Sequence, residues 1–250
     1  MADILKIGEV NLDLRQWPGA GTPVLLLHEA LGAATTWRDF PERLAARTGR
    51  PVIAWSRQGF GQSDPRPARP AHDYLQREAE RVPPLLDALG LKQAHLYGHS
   101  DGAAIALITA AMFPQRVAGL MLEAPHVSVE AQTTTAIIAV RDQYANGQLR
   151  AKLARHHRDP DRVFADWADT WLDPGFASWS IEDLLPRVTA PVLLIQGRND
   201  PYFSLGQLDR IARAVPATRR LELADCGHAP YRERTNPVLE TAADFLQGVV

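Results

Sequence analysis

Ala94-His95-Leu96-Tyr97-Gly98-His99-Ser100-Asp101-Gly102-Ala103-Ala104-Ile105-Ala106-Leu107 decides the reading of this chain. A short apolar run enters a Gly-x-Ser-x-Gly turn, and an Ala/Ile/Leu segment with helical character leaves it. That order of strand, tight turn and helix is the setting in which a G-x-S-x-G motif presents a nucleophilic serine. The residues two before and two after the serine must be small, because strand and helix approach closely there. The turn also sets the Ser100 hydroxyl at a helix N-terminus, where positive partial charge favours developing negative charge. Without partners, the same residues would be a glycine-rich turn carrying an incidental serine.

Working outward, apolar runs recur at Val24–Leu27, Val52–Trp55, Val117–Leu122, Val192–Ile195 and Arg220–Leu223, with Ala94–Tyr97 among them. Helical patterns lie between them at Tyr74–Leu89, Gly102–Met112, Leu205–Val215 and Pro237–Gly248. Such alternation predicts an α/β fold with a mostly parallel sheet covered by helices. Pro23, Pro51 and Pro191 each stand just before a run, where a missing N–H harms the ladder least. The first thirteen residues alternate weakly and read as a leading antiparallel hairpin. Between Pro125 and Pro186 the alternation stops and helical patterns take over, too long a stretch for a plain connection. We read 1–250 as one domain with a helical cap inserted at about 126–186.

A serine hydroxyl needs a base to take its proton and a carboxylate to orient that base. Downstream of Ser100, Asp200 ends the run at 192–195 in Gln196-Gly197-Arg198-Asn199-Asp200, and His228 follows the next run in Asp225-Cys226-Gly227-His228. This gives the chain order Ser, Asp, His expected of a triad on such a sheet. Asp225 and, more distantly, Glu123 are rival acids. Of the other histidines, His99 reads as packing and His156 and His157 as solvated, with Asp159 and Asp161 making a metal site there conceivable but unsupported by spacing. His28 and His126 are candidates to line the pocket. The oxyanion would be held by the Asp101 N–H and by an N–H of His28-Glu29-Ala30-Leu31-Gly32, with Ala30 the expected donor.

With these pieces in place the chain resembles the α/β-hydrolase superfamily from about residue 22 to 245. The matching pieces are His28 to Gly32 with Trp37, the stretch Arg57-Gln58-Gly59-Phe60-Gly61-Gln62-Ser63-Asp64, the elbow at 98–102, Gly197 to Asp200, and Gly227-His228. It is similar to the capped esterase, lactonase and C–C hydrolase branch. The resemblance implies cofactor-free hydrolysis, with no metal. A serine at position 100 argues against the epoxide hydrolases and haloalkane dehalogenases, which would carry Asp there. Two departures from the family pattern stand out: Glu29 stands where Gly is usual, and Ser56 and Gln58 stand where Asp and Arg are common. The first bears on the oxyanion turn, the second on loop packing.

Trp167 and Trp171, four apart on one helical face, are either a roof over an acyl group or the insertion's own core. Tyr202 and Phe203 are expected to border the acyl pocket. Glu29 and Asp101 would set two acidic side chains near the nucleophile, disfavouring anionic substrates and favouring neutral or aminated esters. The plain alternative for Asp101 is stabilisation of a helix N-terminus.

Bulk properties bound the rest. A net charge of −2 with no basic run argues against nucleic-acid and anionic-membrane partners. The single cysteine excludes an internal disulfide and suits a reducing cytoplasm. The N-terminus does not read as a signal peptide, and no apolar run approaches the roughly 20 residues that span a bilayer. The expected partner is a small-molecule substrate; a homo-oligomer is left open. Three functions compete: an ester, lactone or thioester hydrolase, a C–C bond hydrolase using the same three residues, and a binding protein on the same fold with little turnover.

Overall fold

A computed structural model describes residues 3–249. Its eight strands are β1 (Asp3–Ile7), β2 (Val10–Trp17), β3 (Val24–Leu27), β4 (Val52–Trp55), β5 (Ala94–His99), β6 (Val117–Glu123), β7 (Val192–Gly197) and β8 (Thr218–Leu223). They form one sheet in the order β1-β2-β4-β3-β5-β6-β7-β8. β1 with β2 and β2 with β4 pair antiparallel, and every pair from β4 to β8 is parallel. The leading hairpin is therefore present from Asp3 onward; Met1 and Ala2 lie outside the described residues.

Burial explains why the central strands read as unbroken apolar runs. β3, β4, β5 and β7 are buried at every position because helices cover both faces. β8, at the sheet edge, instead carries exposed Arg219 and Arg220, a composition that discourages edge-to-edge pairing. The helix Asp101–Met112 is buried all round, as its continuous apolar sequence requires. Among the described residues no helix is long and apolar enough to cross a membrane.

Three boundaries differ from the sequence expectation. The pattern at 74–89 forms two helices, Tyr74–Glu80 and Val82–Ala88, meeting at Arg81. Pro83 and Pro84 lack the N–H groups a continuous helix would need, but they fit the first turn of a new one. A helix at Phe40–Thr48, which the periodicity did not single out, packs Phe40 and Leu44 beneath β3 and β4 and ends on Gly49 in the left-handed conformation. The last helix begins at Thr235.

The stretch after β6 is helical, with Ala131–Ala145, Gln148–Leu153 and Pro160–Trp171. Its two ends meet at the sheet, where Ser128 and Ser180 form an isolated antiparallel bridge and the Ile181 N–H donates to Val127 O at 2.8 Å. Inside it, Tyr144 stacks on Phe164 with ring centroids 3.8 Å apart. The insertion therefore rises from the β6 end, beside the turn that carries Ser100.

Candidate active site

Ser100 sits at φ 53°, ψ −116°, outside the conformations an L-residue favours. Strain of this kind persists only where the surroundings enforce it. Here the Ser100 N–H donates to Glu123 O at 2.9 Å, tying the turn to the end of β6. The flanking glycines are required sterically: a Cβ on Gly98 would lie 2.2 Å from Gly102 O, and one on Gly102 would lie 1.9 Å from Leu27 O. The small residues that the spacing demanded are thus set by backbone contact.

Asp200 and His228 come from the ends of neighbouring strands β7 and β8. The His228 Nδ1–H donates to Asp200 Oδ2 at 2.7 Å, which leaves Nε2 free to accept a proton. Asp200 Oδ2 also accepts from Gln196 Nε2 at 2.8 Å, and Oδ1 accepts the N–H groups of Tyr202 at 2.8 Å and Phe203 at 3.3 Å. Burial alone would raise this carboxyl. The His228 charge and these hydrogen bonds outweigh it and hold Asp200 below the usual carboxylate range. Ser100 and His228 border the same pocket; no direct hydrogen bond joins them, and such contacts often tighten only with substrate bound.

The rival acids are engaged elsewhere. Asp225 is exposed and faces Arg234 at 3.8 Å. Glu123 is fully buried, accepts the Tyr97 hydroxyl, and takes the Tyr231 N–H at 2.9 Å. The loop carrying His228 is fastened by Glu233, whose carboxylate accepts Gly227 N–H at 2.7 Å and Ala229 N–H at 3.1 Å.

The pocket over Ser100 has a volume of about 250 Å³, small beside the ~300–1,000 Å³ of drug-sized sites. Glu29, Ala30, Asp101, Trp167, Trp171, Tyr202 and Phe203 all border it, together with Ser100 and His228. Among the described residues neither the Ala30 N–H nor the Asp101 N–H donates to a protein acceptor, as an oxyanion site requires. Trp171 serves both readings of the insertion: it borders the pocket, packs on Phe176 with centroids 5.1 Å apart, and its Nε1–H donates to the Tyr74 hydroxyl at 3.0 Å. His28 and His126 lie behind the wall rather than in it. His126 is fully buried and stacks on Phe203 at 4.3 Å between centroids; burial pushes its imidazole down to about 3.

The charge expectation needs correction. The Glu29 carboxylate folds back over Gly32 and faces His99 Nδ1 at 3.6 Å. Burial acts against both partners, yet their mutual attraction brings Glu29 down to about 2 and, with the nearby Glu123 charge, lifts His99 to about 9. Asp101 accepts the Tyr74 hydroxyl at 2.7 Å; burial raises its carboxyl, and the Arg57 charge opposes that rise. Both acids are compensated from within, which removes the basis for selecting an aminated substrate.

Two histidine expectations are also corrected. His99 does not merely pack: it borders the pocket, and its Nε2–H donates to the His228 backbone carbonyl at 2.7 Å. His157 is buried, and His156 is only partly exposed. The Gly61 N–H donates to His157 Nδ1 at 3.0 Å, so the Nε2–H donates to Leu31 O at 3.0 Å, while His156 bonds Thr35 Oγ1 at 2.7 Å. They pin the insertion to the loops after β3 and β4, and no metal-holding cluster exists among the described residues. Ser56, where the family pattern has Asp, donates to Asp13 Oδ2 at 3.0 Å and accepts the Ala34 N–H at 2.9 Å. A carboxylate from β2 thus lies beside this position. Gln58 receives Arg81 Nη1–H at 2.7 Å, a matter of loop packing.

Sequence reasoning missed Tyr74, Thr133, Ile137 and Glu233. Glu233 carried a usable signal, an acid five residues past His228 on the next helix; the other three carried none.

Strained serine elbow, strand-end Asp–His pair and helical insertion together define a hydrolase-type site. The chain belongs to the α/β hydrolase fold family, whose sequence model matches residues 22–162 and 168–235. It is 27% identical over 253 residues to serine hydrolase BPHL of Homo sapiens, covering 97% of this chain and 85% of that protein. It is 26% identical over 278 residues to the 2-hydroxy-6-oxononadienedioate/2-hydroxy-6-oxononatrienedioate hydrolase 2 of Pseudomonas putida, covering 97% and 94%. In three dimensions it is similar to a thermophilic esterase from Thermogutta terrifontis, with a TM-score of 0.78, 22% identity, and coverage of 100% and 99%.

Proposed function

We propose that this hydrolase cleaves small, neutral carboxylic esters, lactones or thioesters through an acyl-enzyme on Ser100. The observation that carries the reading is the 2.7 Å His228–Asp200 bond opening into the pocket that also holds the strained serine. His228 Nε2 takes the Ser100 proton as Oγ attacks the carbonyl carbon. The tetrahedral oxyanion accepts the N–H groups of Ala30 and Asp101. Collapse expels the alcohol or thiol, which receives its proton from His228, and water releases the acyl group by the same steps. Asp200 holds the imidazole in the required tautomer throughout. The chemistry uses no cofactor or metal. The 250 Å³ pocket and its aromatic wall favour a short acyl group, and the internal pairing of Glu29 and Asp101 favours a neutral one.

A second reading, C–C bond hydrolysis, uses the same residues and is favoured by the similarity to the Pseudomonas putida relative. A panel of p-nitrophenyl esters of increasing acyl length, run beside vinylogous 1,5-diketones, separates the two. Turnover confined to short esters supports the first reading, and turnover confined to diketones overturns it. Stoichiometric fluorophosphonate labelling, lost in Ser100→Ala, is expected; absence of labelling in the folded wild type would leave only a binding protein.

A further inference from the structure

Arg57 is buried to 1% exposure, yet among the described residues no carboxylate lies within ion-pairing distance of it. Its Nε and Nη1 groups have no hydrogen-bond partner, and its guanidinium carbon lies 4.7 Å above the Phe60 ring centre. Its charge is felt at Asp101, whose rise it opposes, but no direct ion pair forms. A buried cation held in this way is costly, and apolar replacements of similar size are frequently better tolerated. Packing alone therefore gives no reason for a charge here.

The polar contacts of Arg57 are informative; besides a longer approach of Nη2 to His28 Nδ1 at 3.4 Å, one short bond stands out. The Arg57 Nη2–H donates at 3.0 Å to Glu29 O, the carbonyl of the peptide whose N–H belongs to Ala30. His28 serves the same oxygen. The Arg57 backbone N–H donates to His28 Nε2 at 3.1 Å, which fixes the neutral tautomer with hydrogen on Nδ1, and that Nδ1–H donates to Glu29 O at 2.7 Å. Gly32 N–H adds a third bond at 3.1 Å. Three donors, one of them cationic, thus converge on the carbonyl end of a peptide whose opposite end is the Ala30 N–H. That N–H makes no bond to a protein acceptor among the described residues and belongs to a residue bordering the pocket over Ser100.

Hydrogen bonds in series polarise one another, by about 10–30% per bond, and a bond from a cation is about twice as strong as a neutral one. Withdrawing electron density at Glu29 O makes the Ala30 N–H a stronger donor. Fixing that oxygen also fixes the plane in which the donor points.

We propose that Arg57 is a positioning residue for the transition state, polarising and aiming the Glu29–Ala30 peptide toward the oxyanion formed at Ser100. The proposal rests on the reading of Ala30 N–H as an oxyanion donor. Arg57 touches no reacting atom; its effect passes through the peptide and grows as negative charge develops. It acts on kcat and leaves ground-state binding of the ester unchanged.

The test compares Arg57→Lys, Arg57→Gln and Arg57→Met with the wild type on a p-nitrophenyl ester. It adds inhibition by a trifluoromethyl ketone, which forms an oxyanion on the serine, and thermal melting. Removing an oxyanion donor outright costs about 10²–10³ in kcat, so weakening one should cost about tenfold. Gln and Met are expected to lose about tenfold in kcat and in ketone affinity, with KM unchanged. Lys, which retains the charge, is expected to recover most of that loss, and Met is expected to melt no lower than the wild type. If Met does not fold, the Lys and Gln pair decides. Equal kcat in Lys and Gln, or a loss confined to KM, overturns the proposal. A wild type that neither turns over esters nor binds the ketone overturns the ester reading instead.

Discussion

The two halves of the pocket are built on different principles. The strand-end half, holding Ser100, Asp200 and His228, rises from β5, β7 and β8, and each of its three residues is fixed by backbone contacts or short hydrogen bonds. The insertion half presents Thr133, Ile137, Trp167 and Trp171 from helices whose outer faces are exposed, Ile138 among them at 41%. Precision of a few tenths of an ångström is what acid–base and nucleophilic chemistry requires, and a shared sheet supplies it. An apolar wall needs only shape, so helices with solvent-exposed outer faces suffice. On the proposed function, reaction type belongs to the sheet and substrate choice to the insertion.

The strongest way to break that division is at Asp200. Asp200→Asn keeps the volume but reverses the hydrogen-bonding preference at His228 Nδ1, favouring the wrong tautomer. We expect kcat to fall about 10⁴-fold with an unchanged circular dichroism spectrum and little change in KM. A fall below tenfold would move the acid's role to another residue.

Gly102→Ala tests whether the strand-end half is set by backbone contact. The added Cβ would meet Leu27 O at 1.9 Å, and the obstacle is main chain on both sides. Forced overpacking of this kind costs about 3 kcal/mol, readable in urea unfolding. A variant as stable as the wild type would show that β3 and the Asp101–Met112 helix can separate cheaply.

These two halves also differ in how far the sequence disclosed them. The elbow, Asp200 and His228 stood out because close backbone approach forces glycine at 98 and 102, and because strand ends are marked by apolar runs. Glu29 was visible as an acid but its state was not. Its partner His99 lies 70 positions on, and only the juxtaposition of β3 and β5 in the folded sheet makes them a pair. The same holds for Asp13 serving Ser56 from another strand, and for His157 reaching Leu31. Tyr74 carried no local signal at all, since its role comes from two contacts, each to a distant element. Patterns of period 2 or 3.6 report which face is buried; they do not report which polar atoms meet across elements.

The Glu29–His99 pair sharpens the comparison through pH. His99 is raised from 6.5 to about 9, so its share of stability is complete below 6.5 and is lost as pH rises through about 9. Glu29 is lowered from 4.5 to about 2, so its share is complete above 4.5 and is lost as pH falls through about 2. The melting temperature should therefore decline from pH 6.5 to 9 in the wild type and decline less in Glu29→Gln. Identical slopes would mean that the pair is not what holds the His99 proton.

The smallest effect is expected at the seam between the halves. Trp171 belongs to the insertion, yet its Nε1–H reaches Tyr74, whose hydroxyl donates to the carboxylate of Asp101 beside Ser100. Trp171→Phe keeps an aromatic wall and removes only that donor. A single neutral hydrogen bond is worth about 1 kcal/mol, or roughly fivefold in an equilibrium constant. If the insertion governs binding and the sheet governs chemistry, the loss should fall on KM, rising about fivefold for a short p-nitrophenyl ester, with kcat within twofold. Trp167→Phe provides the control, because Trp167 borders the same pocket without reaching Tyr74. It should change the preferred acyl length while leaving both the melting temperature and kcat in place. A fall in kcat for Trp171→Phe would mean that the Tyr74–Asp101 contact transmits the insertion's position to the elbow, and the separation of chemistry from substrate choice would no longer hold at this point.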